Sequence, residues 1–208
     1  MEQEIVKVFN EQHEQIGTAT RAEVHEKGLW HETFHCWLVN EDYIYFQIRS
    51  AQKKDYPGLL DITAAGHLLA VETVESGIRE VKEELGLDVN VHDVVKMGMT
   101  SCSIVSENMI DNEFCHVYIY PFKHDWESFE LQYEEVSGVV RAKLDEAEAF
   151  FLGETATLNI EGYEYFPDGQ RAKVVRPVST AQFVPYRELY VAHVIQFVKD
   201  KMFNKTYE

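Results

Sequence analysis

The 208 residues are 45% hydrophobic and 12% aromatic, enough to bury a substantial core, and this excludes wholesale disorder. Nineteen basic residues face 36 acidic ones, a formal charge of −17, so the surface repels nucleic acid and anionic membranes and neither is an expected partner. The same charge repels a phosphorylated ligand unless metal ions neutralise the binding site. No run approaches the ~18 consecutive apolar residues of a membrane span. Met1–Glu4 is acidic where a secretory leader would be basic, and the odd set Cys36, Cys102 and Cys115 reads as reduced thiols, so a cytoplasmic protein is expected.

In chain order, residues 4–20 read as a hairpin with a polar turn over Asn10 to Gln15, followed by a short helix from Arg21 to Lys27 that Gly28 ends. Phe34–Val39 and Tyr43–Ile48 read as strands flanking Asn40-Glu41-Asp42, and Arg49–Gly58 as a polar loop. Leu60–Ile62 and Gly66–Leu68 lead into a helical period, after which Val89–Met97 reads as extended. Glu113–Tyr120 carries the strongest strand signal, ended by Pro121; Val136–Ala142 is a further strand and Leu144–Phe151 a short helix. Asp168-Gly169 marks a hairpin. A helix is predicted from Pro185 to Lys201, with Tyr190, Val191, Val194, Ile195 and Val198 as its buried stripe. Cys36 and Cys115 fall in strand-like runs and read as small core residues. Strands mixed with a few helices point to an α+β fold. One domain is expected over residues 1–208, with an N-terminal hairpin (about 4–20) and a C-terminal hairpin and helix extension (about 155–208).

The most informative stretch is Gly66–Leu87, GHLLAVETVESGIREVKEELGL. Ile78, Val81 and Leu85 form an apolar helical stripe, while Glu80, Glu83 and Glu84 share the opposite face. Three carboxylates at that spacing repel one another, and a hard divalent cation would reverse the sign of the interaction. Thr73 suits the N-cap and Gly86 the C-cap.

Gly66, Glu72, Arg79, Glu80, Glu83, Glu84 and Gly86 resemble the Nudix box, G-x5-E-x7-R-E-U-x-E-E-x-G-U with U aliphatic. The interval from Glu72 to Arg79 is one residue short of that pattern, which a deletion between Thr73 and Gly77 accounts for. The resemblance implies an αβα sandwich around a mixed sheet, with the box helix presenting its carboxylates to a cleft. It implies hydrolysis of a diphosphate linkage in a nucleoside diphosphate derivative or a related small diphosphate, by a monomer or homodimer. Mg²⁺ or Mn²⁺ held by Glu80, Glu83 and Glu84 would be the cofactor, and one of these carboxylates or Glu113 the general base. Arg79 would orient a glutamate, with Glu72 as its partner if the shortened loop permits.

Trp30–Trp37, Tyr56–Asp61, Ala65-Gly66-His67 and Asn112–Cys115 are similar to the Nudix branch that includes isopentenyl diphosphate isomerase, over most of residues 5–150. Carried over, that branch's metal-binding histidines fall on His31 and His67, with His25 a poorer fit because its spacing to His31 is one short. Its carboxylates fall on Asp111 and Glu113, which with the histidines are candidates for a substrate or second-metal site. The isomerase's catalytic cysteine falls on Ala65, whose methyl group exchanges no proton, so hydrolysis is preferred over isomerisation. A non-catalytic nucleotide-binding module is the other alternative, and retention of all three box glutamates disfavours it.

Overall fold

The computed structural model describes residues 3–106, 109–186 and 189–203. Its elements are β1 (Ile5–Phe9), β2 (Gln15–Thr20), α1 (Arg21–Lys27), β3 (Trp30–Val39), β4 (Tyr43–Arg49), β5 (Leu60–Ile62) and β6 (Ala64–His67). After them come α2 (Arg79–Leu85), β7 (Val95–Val105), β8 (Ile110–Pro121), β9 (Val136–Lys143), α3 (Leu144–Phe151), β10 (Leu158–Tyr165), β11 (Arg171–Val178) and α4 (Tyr190–Val198).

The strands form a mixed sheet in the order β11-β10-β9-β4-β3-β1-β2, with β5 on β4, β6 on β3 and β7 on β8. β8 runs parallel to β3 over ten residue pairs, from Trp30↔Asn112 to Val39↔Pro121. β3 is buried along nearly its whole length because helices cover both of its faces. Side chains alternate across a strand, and the core divides accordingly. Trp37 and Val39 join Val117 and Ile119 of β8 against Phe150 of α3 and Val194, Ile195 and Val198 of α4. Phe34, Cys36 and Leu38 join Tyr118 against Val81 and Leu85 of α2. This is the α+β fold expected from the strand and helix pattern, in the helix–sheet–helix layering that the family resemblance implies. All three cysteines are free and buried, as core residues.

Two expectations require correction. Val89–Met97 is not continuously extended: Asn90 and Asp93 bracket a 3-10 turn over Val91–Asp93, Asn90 N–H donating to Asp93 Oδ2 at 3.3 Å, before β7 begins and runs on to Val105. An Asp whose carboxylate captures an upstream backbone N–H competes with a strand ladder. The C-terminal helix starts at Tyr190, not beside Pro185; Leu189 stands immediately before it at φ 67°, a left-handed conformation that cannot continue a helix upstream. Arg187 and Glu188 of the expected helix lie outside the described residues. The predicted stripe, Tyr190 to Val198, is buried.

Candidate active site

The box helix is built in two steps. Thr73 opens a 3-10 turn, Val74–Ile78, rather than capping α2 directly, and α2 then runs to Gly86, whose φ of 75° makes it a left-handed C-cap. The apolar stripe buries Val81 and Leu85 and leaves Ile78 half-buried, which turns the acidic face toward β6. There Gly66 matters: a Cβ at that position would lie 2.1 Å from the Glu80 carboxyl carbon. Glycine alone lets Glu80 rest against the strand.

Arg79 ties the box together. Its Nε and Nη2 donate to the two oxygens of Glu72, at 2.6 and 3.1 Å, and Nη2 also donates to the His67 carbonyl at 3.1 Å. Its Nη1 reaches Glu80 Oε1 at 2.7 Å and Glu83 Oε2 at 2.8 Å. The shortened interval therefore keeps Glu72 as the bidentate partner of Arg79, and the Leu69 N–H, 2.8 Å from Glu72 Oε2, completes the grip. Burial pushes the Glu72 carboxyl up, but the Arg79 and Leu69 hydrogen bonds more than offset it and hold it below the usual range.

The three box carboxylates differ in surroundings. Glu83 is exposed. Glu80 is pushed up to about 7 by burial, with the charge of Glu83 adding to the shift and Arg79 opposing it. Glu84 is buried, and burial with the neighbouring Glu80 charge raises it well above the ordinary carboxylate value. Its Oε2 accepts from the Ala65 N–H at 3.0 Å and from Gln47 Nε2 at 3.2 Å. Among the described residues these carboxylates do not converge into one set of ligand atoms within 4.8 Å, and Arg79 Nη1 stands between Glu80 and Glu83. Two buried or half-buried hard oxygen donors with raised affinity for protons, Glu80 and Glu84, with the exposed Glu83 beside them, fit a divalent cation, whose charge would remove that cost.

Facing this helix is a second constellation, His25, His31, His67 and Asp111, whose ligand atoms all lie within 4.8 Å of one another. His25 Nε2 is 3.1 Å from His67 Nε2, and the His31 and His67 rings stack at 4.9 Å. His31 Nδ1 donates to the Leu29 carbonyl at 3.0 Å, which leaves the Nε2 lone pair aimed at Asp111 Oδ1, 3.5 Å away. His31 Nε2 and Asp111 Oδ1 are both buried with no hydrogen-bond partner, an arrangement that suits a ligand between them. Burial depresses all three histidines, His25 to about 4, so the rings are neutral. Asp111 is raised by burial and by Glu113. Burial pushes Glu113 up, but His35, whose Nε2 lies 3.7 Å from Glu113 Oε2, together with His31 and His25 more than offsets it and holds it below the usual range.

His25 thus belongs to the group, against the expectation that its spacing fits poorly. It sits on α1, which closes on a left-handed Gly28 just before β3, and Asn112 Nδ2 of β8 donates to the Gly28 carbonyl at 2.8 Å. Such a junction absorbs a one-residue difference. Sequence reasoning missed Arg21, Arg49, Lys53 and Tyr186, which line the same cleft of about 250 Å³ with the box glutamates, His67, Asp111 and Glu113. Arg49 is anchored by Asp61, at 2.7 Å, and by the Asp55 carbonyl. The available signal was the Arg49-x3-Lys53 pair in so acidic a chain.

The NUDIX domain family model matches residues 6–167, and the chain belongs to the Nudix family. It is an enzyme of the Nudix hydrolase type, a family that generally cleaves diphosphate linkages with divalent metal ions. An uncharacterized Nudix hydrolase of Clostridium acetobutylicum is 37% identical over 204 residues, covering 96% of this chain and 99% of that one. An isopentenyl-diphosphate Delta-isomerase of Kocuria rhizophila is 31% identical over 119 residues, 56% of this chain and 66% of that one. A crystal structure from Deinococcus radiodurans shares the fold with a TM-score of 0.54 at 19% identity, over 72% of this chain and 90% of that one.

Proposed function

We propose that the chain hydrolyses the phosphoanhydride bond of a small diphosphate, a nucleoside diphosphate derivative or a related compound, with Mg²⁺ or Mn²⁺ held by Glu80, Glu83 and Glu84. The observation that carries this reading is the meeting, in one cleft, of the acidic α2 face with the cationic side chains Arg21, Arg49 and Lys53. Water attacks one phosphorus, the bridging P–O bond breaks, and two phosphate products leave. The cation, when bound, supplies charge neutralisation and lowers the pKa of a coordinated water. Arg49 and Lys53 bind and orient the diphosphate oxygens, held in place by Asp61 and by Glu135 respectively. Arg79 fixes Glu80 and Glu83 while itself anchored by Glu72. Glu84 or Glu113, both buried and both lining the cleft, receives the proton of the attacking water. His67, His31 and Asp111, joined by His25, form a second cation or substrate subsite, and Glu113 lines the cleft beside them. We take residues 1–208 as one domain, since α3, α4 and β10 share the core of β3 and β4.

The histidine–aspartate group also supports a second reading, proton transfer on an allylic diphosphate. Ala65 argues against it: it stands at the cysteine position and offers the site only a backbone N–H, engaged by Glu84. Phosphate release from a panel of nucleoside diphosphates, diphosphate-linked nucleotides, thiamine diphosphate and prenyl diphosphates, with Mg²⁺ and with Mn²⁺, tests the hydrolase. Incubation with isopentenyl diphosphate in deuterated water tests the isomerase. Deuterium in recovered substrate, or dimethylallyl product, would overturn the preference for hydrolysis.

A further inference from the structure

The period-two alternation that points His31, Thr33 and His35 of β3 and Asp111, Glu113 and Cys115 of β8 one way points Glu32 and His116 the other way. In the parallel register Glu32 pairs with Phe114 and Phe34 with His116, so Glu32 and His116 are diagonal neighbours on the face turned from the cleft group. His116 Nε2 lies 2.9 Å from Glu32 Oε1. A third side chain reaches the same oxygen from a distant part of the chain: His13, in the turn between β1 and β2, with Nε2 at 3.0 Å.

The turn is shaped around His13. Its backbone adopts φ 61°, which a non-glycine residue holds only when its surroundings require it. Asn10 closes the turn from both ends, its carbonyl accepting the His13 N–H at 3.0 Å and its Oδ1 the Glu14 N–H at 2.9 Å. The imidazole stacks on Phe9 at 4.8 Å and packs on Phe114 at 4.5 Å. These contacts fix the ring with Nε2 directed at Glu32.

We propose that His13, Glu32 and His116 form a binding site for a divalent transition-metal ion of the zinc class, separate from the catalytic cleft, which clips the β1–β2 turn to β3 and β8. The three ligand atoms lie within 4.8 Å of one another. Zinc with metal–ligand bonds of about 2.0–2.2 Å in tetrahedral array places its ligands about 3.3 Å apart, so small movements of the two rings admit the ion. Two imidazoles and one carboxylate are a donor set zinc takes, leaving a fourth position for water. Glu32 and His116 are buried, whereas the His13 side chain is 30% exposed, which gives the ion an entrance.

The test uses the full chain, stripped with chelator, desalted, and loaded with Zn²⁺ or Co²⁺ alone. Tightly held metal per chain is counted by elemental analysis, and Co²⁺ binding is followed by its visible absorption. Because the cleft histidines also take such ions, His13→Ala and His67→Ala are compared with wild type. His13→Ala should lose one equivalent and the stabilisation it brings, while His67→Ala keeps that equivalent. Phosphate release by His13→Ala should match wild type. His13→Gln retains a side-chain donor toward Glu32, and it too should lose the equivalent. If either His13 variant holds as much metal as wild type, with the same gain in melting temperature, the three side chains are a hydrogen-bonded clasp and the site is refuted.

Discussion

Glu84 is held by two donors, Ala65 N–H and Gln47 Nε2, that a glutamine oxygen can still satisfy. Glu84→Gln should therefore leave the fold intact while removing a ligand or the base. Turnover should drop by at least about a hundredfold, each factor of ten being about 1.4 kcal/mol of transition-state stabilisation. Metal-free stability should stay level or rise, because a buried group whose ionisation burial and Glu80 oppose is gone. Mn²⁺ should raise the melting temperature of wild type more than that of the variant; unchanged turnover would take Glu84 out of the mechanism. Gly66→Ala probes the same place from the strand. Its methyl would fall 2.1 Å from the Glu80 carboxyl carbon, the far end of a flexible side chain, so Glu80 moves away and the backbone does not. The expected outcome is a folded protein with Mn²⁺ affinity weakened roughly tenfold or more, measured by titration calorimetry.

At the scale of elements, α4 is fastened to β3 through one phenol. Tyr190 OH accepts from Trp37 Nε1 at 3.2 Å and lies 2.8 Å from His35 Nδ1, all three residues being buried. Tyr190→Phe keeps the ring packing and strands both partners, at a cost of about 1–3 kcal/mol. Melting should fall by several degrees, and an unshifted melting temperature would show that apolar packing alone seats α4. This fastening was invisible in the sequence, where Tyr190 read only as one position of an apolar stripe. Short-range signals were legible: Gly28 and Gly86 end their helices in left-handed conformations, and α3 occupies its predicted residues. Whatever depends on meetings between distant residues was not. Arg21, Arg49 and Lys53 gather at the box helix only because the sheet brings their segments there. The start of α4 was missed because Leu189 takes a left-handed φ of 67°, which its residue type does not announce. His25 was discounted on linear spacing, a measure that a helix followed by a glycine turn does not respect.

For the molecule as a whole, the buried groups of the cleft set opposing pH dependences. His25, lowered to about 4 from an ordinary 6.5, is neutral when folded. The unfolded chain binds more protons there, so this contribution to stability is lost as pH falls from 6.5 to 4. Glu80, raised to about 7 from 4.5, has the reverse sign. The folded state binds more protons in that interval, so the stability it contributes is complete below 4.5 and lost as pH rises through 7. The two windows overlap, and a wild-type pH profile alone mixes them. Subtraction separates them, because Glu80→Gln removes one and leaves the other. In chelator, the variant's melting temperature relative to wild type should climb between pH 4.5 and pH 8, since only wild type acquires a buried charge over that range. With saturating Mn²⁺ at pH 8 the order should reverse, wild type gaining a ligand–metal interaction that the variant lacks. A difference that stays flat with pH would mean that the Glu80 carboxyl titrates alike in the folded and unfolded chains. A rising difference that Mn²⁺ does not reverse would leave the buried acid in place but remove Glu80 from the metal site.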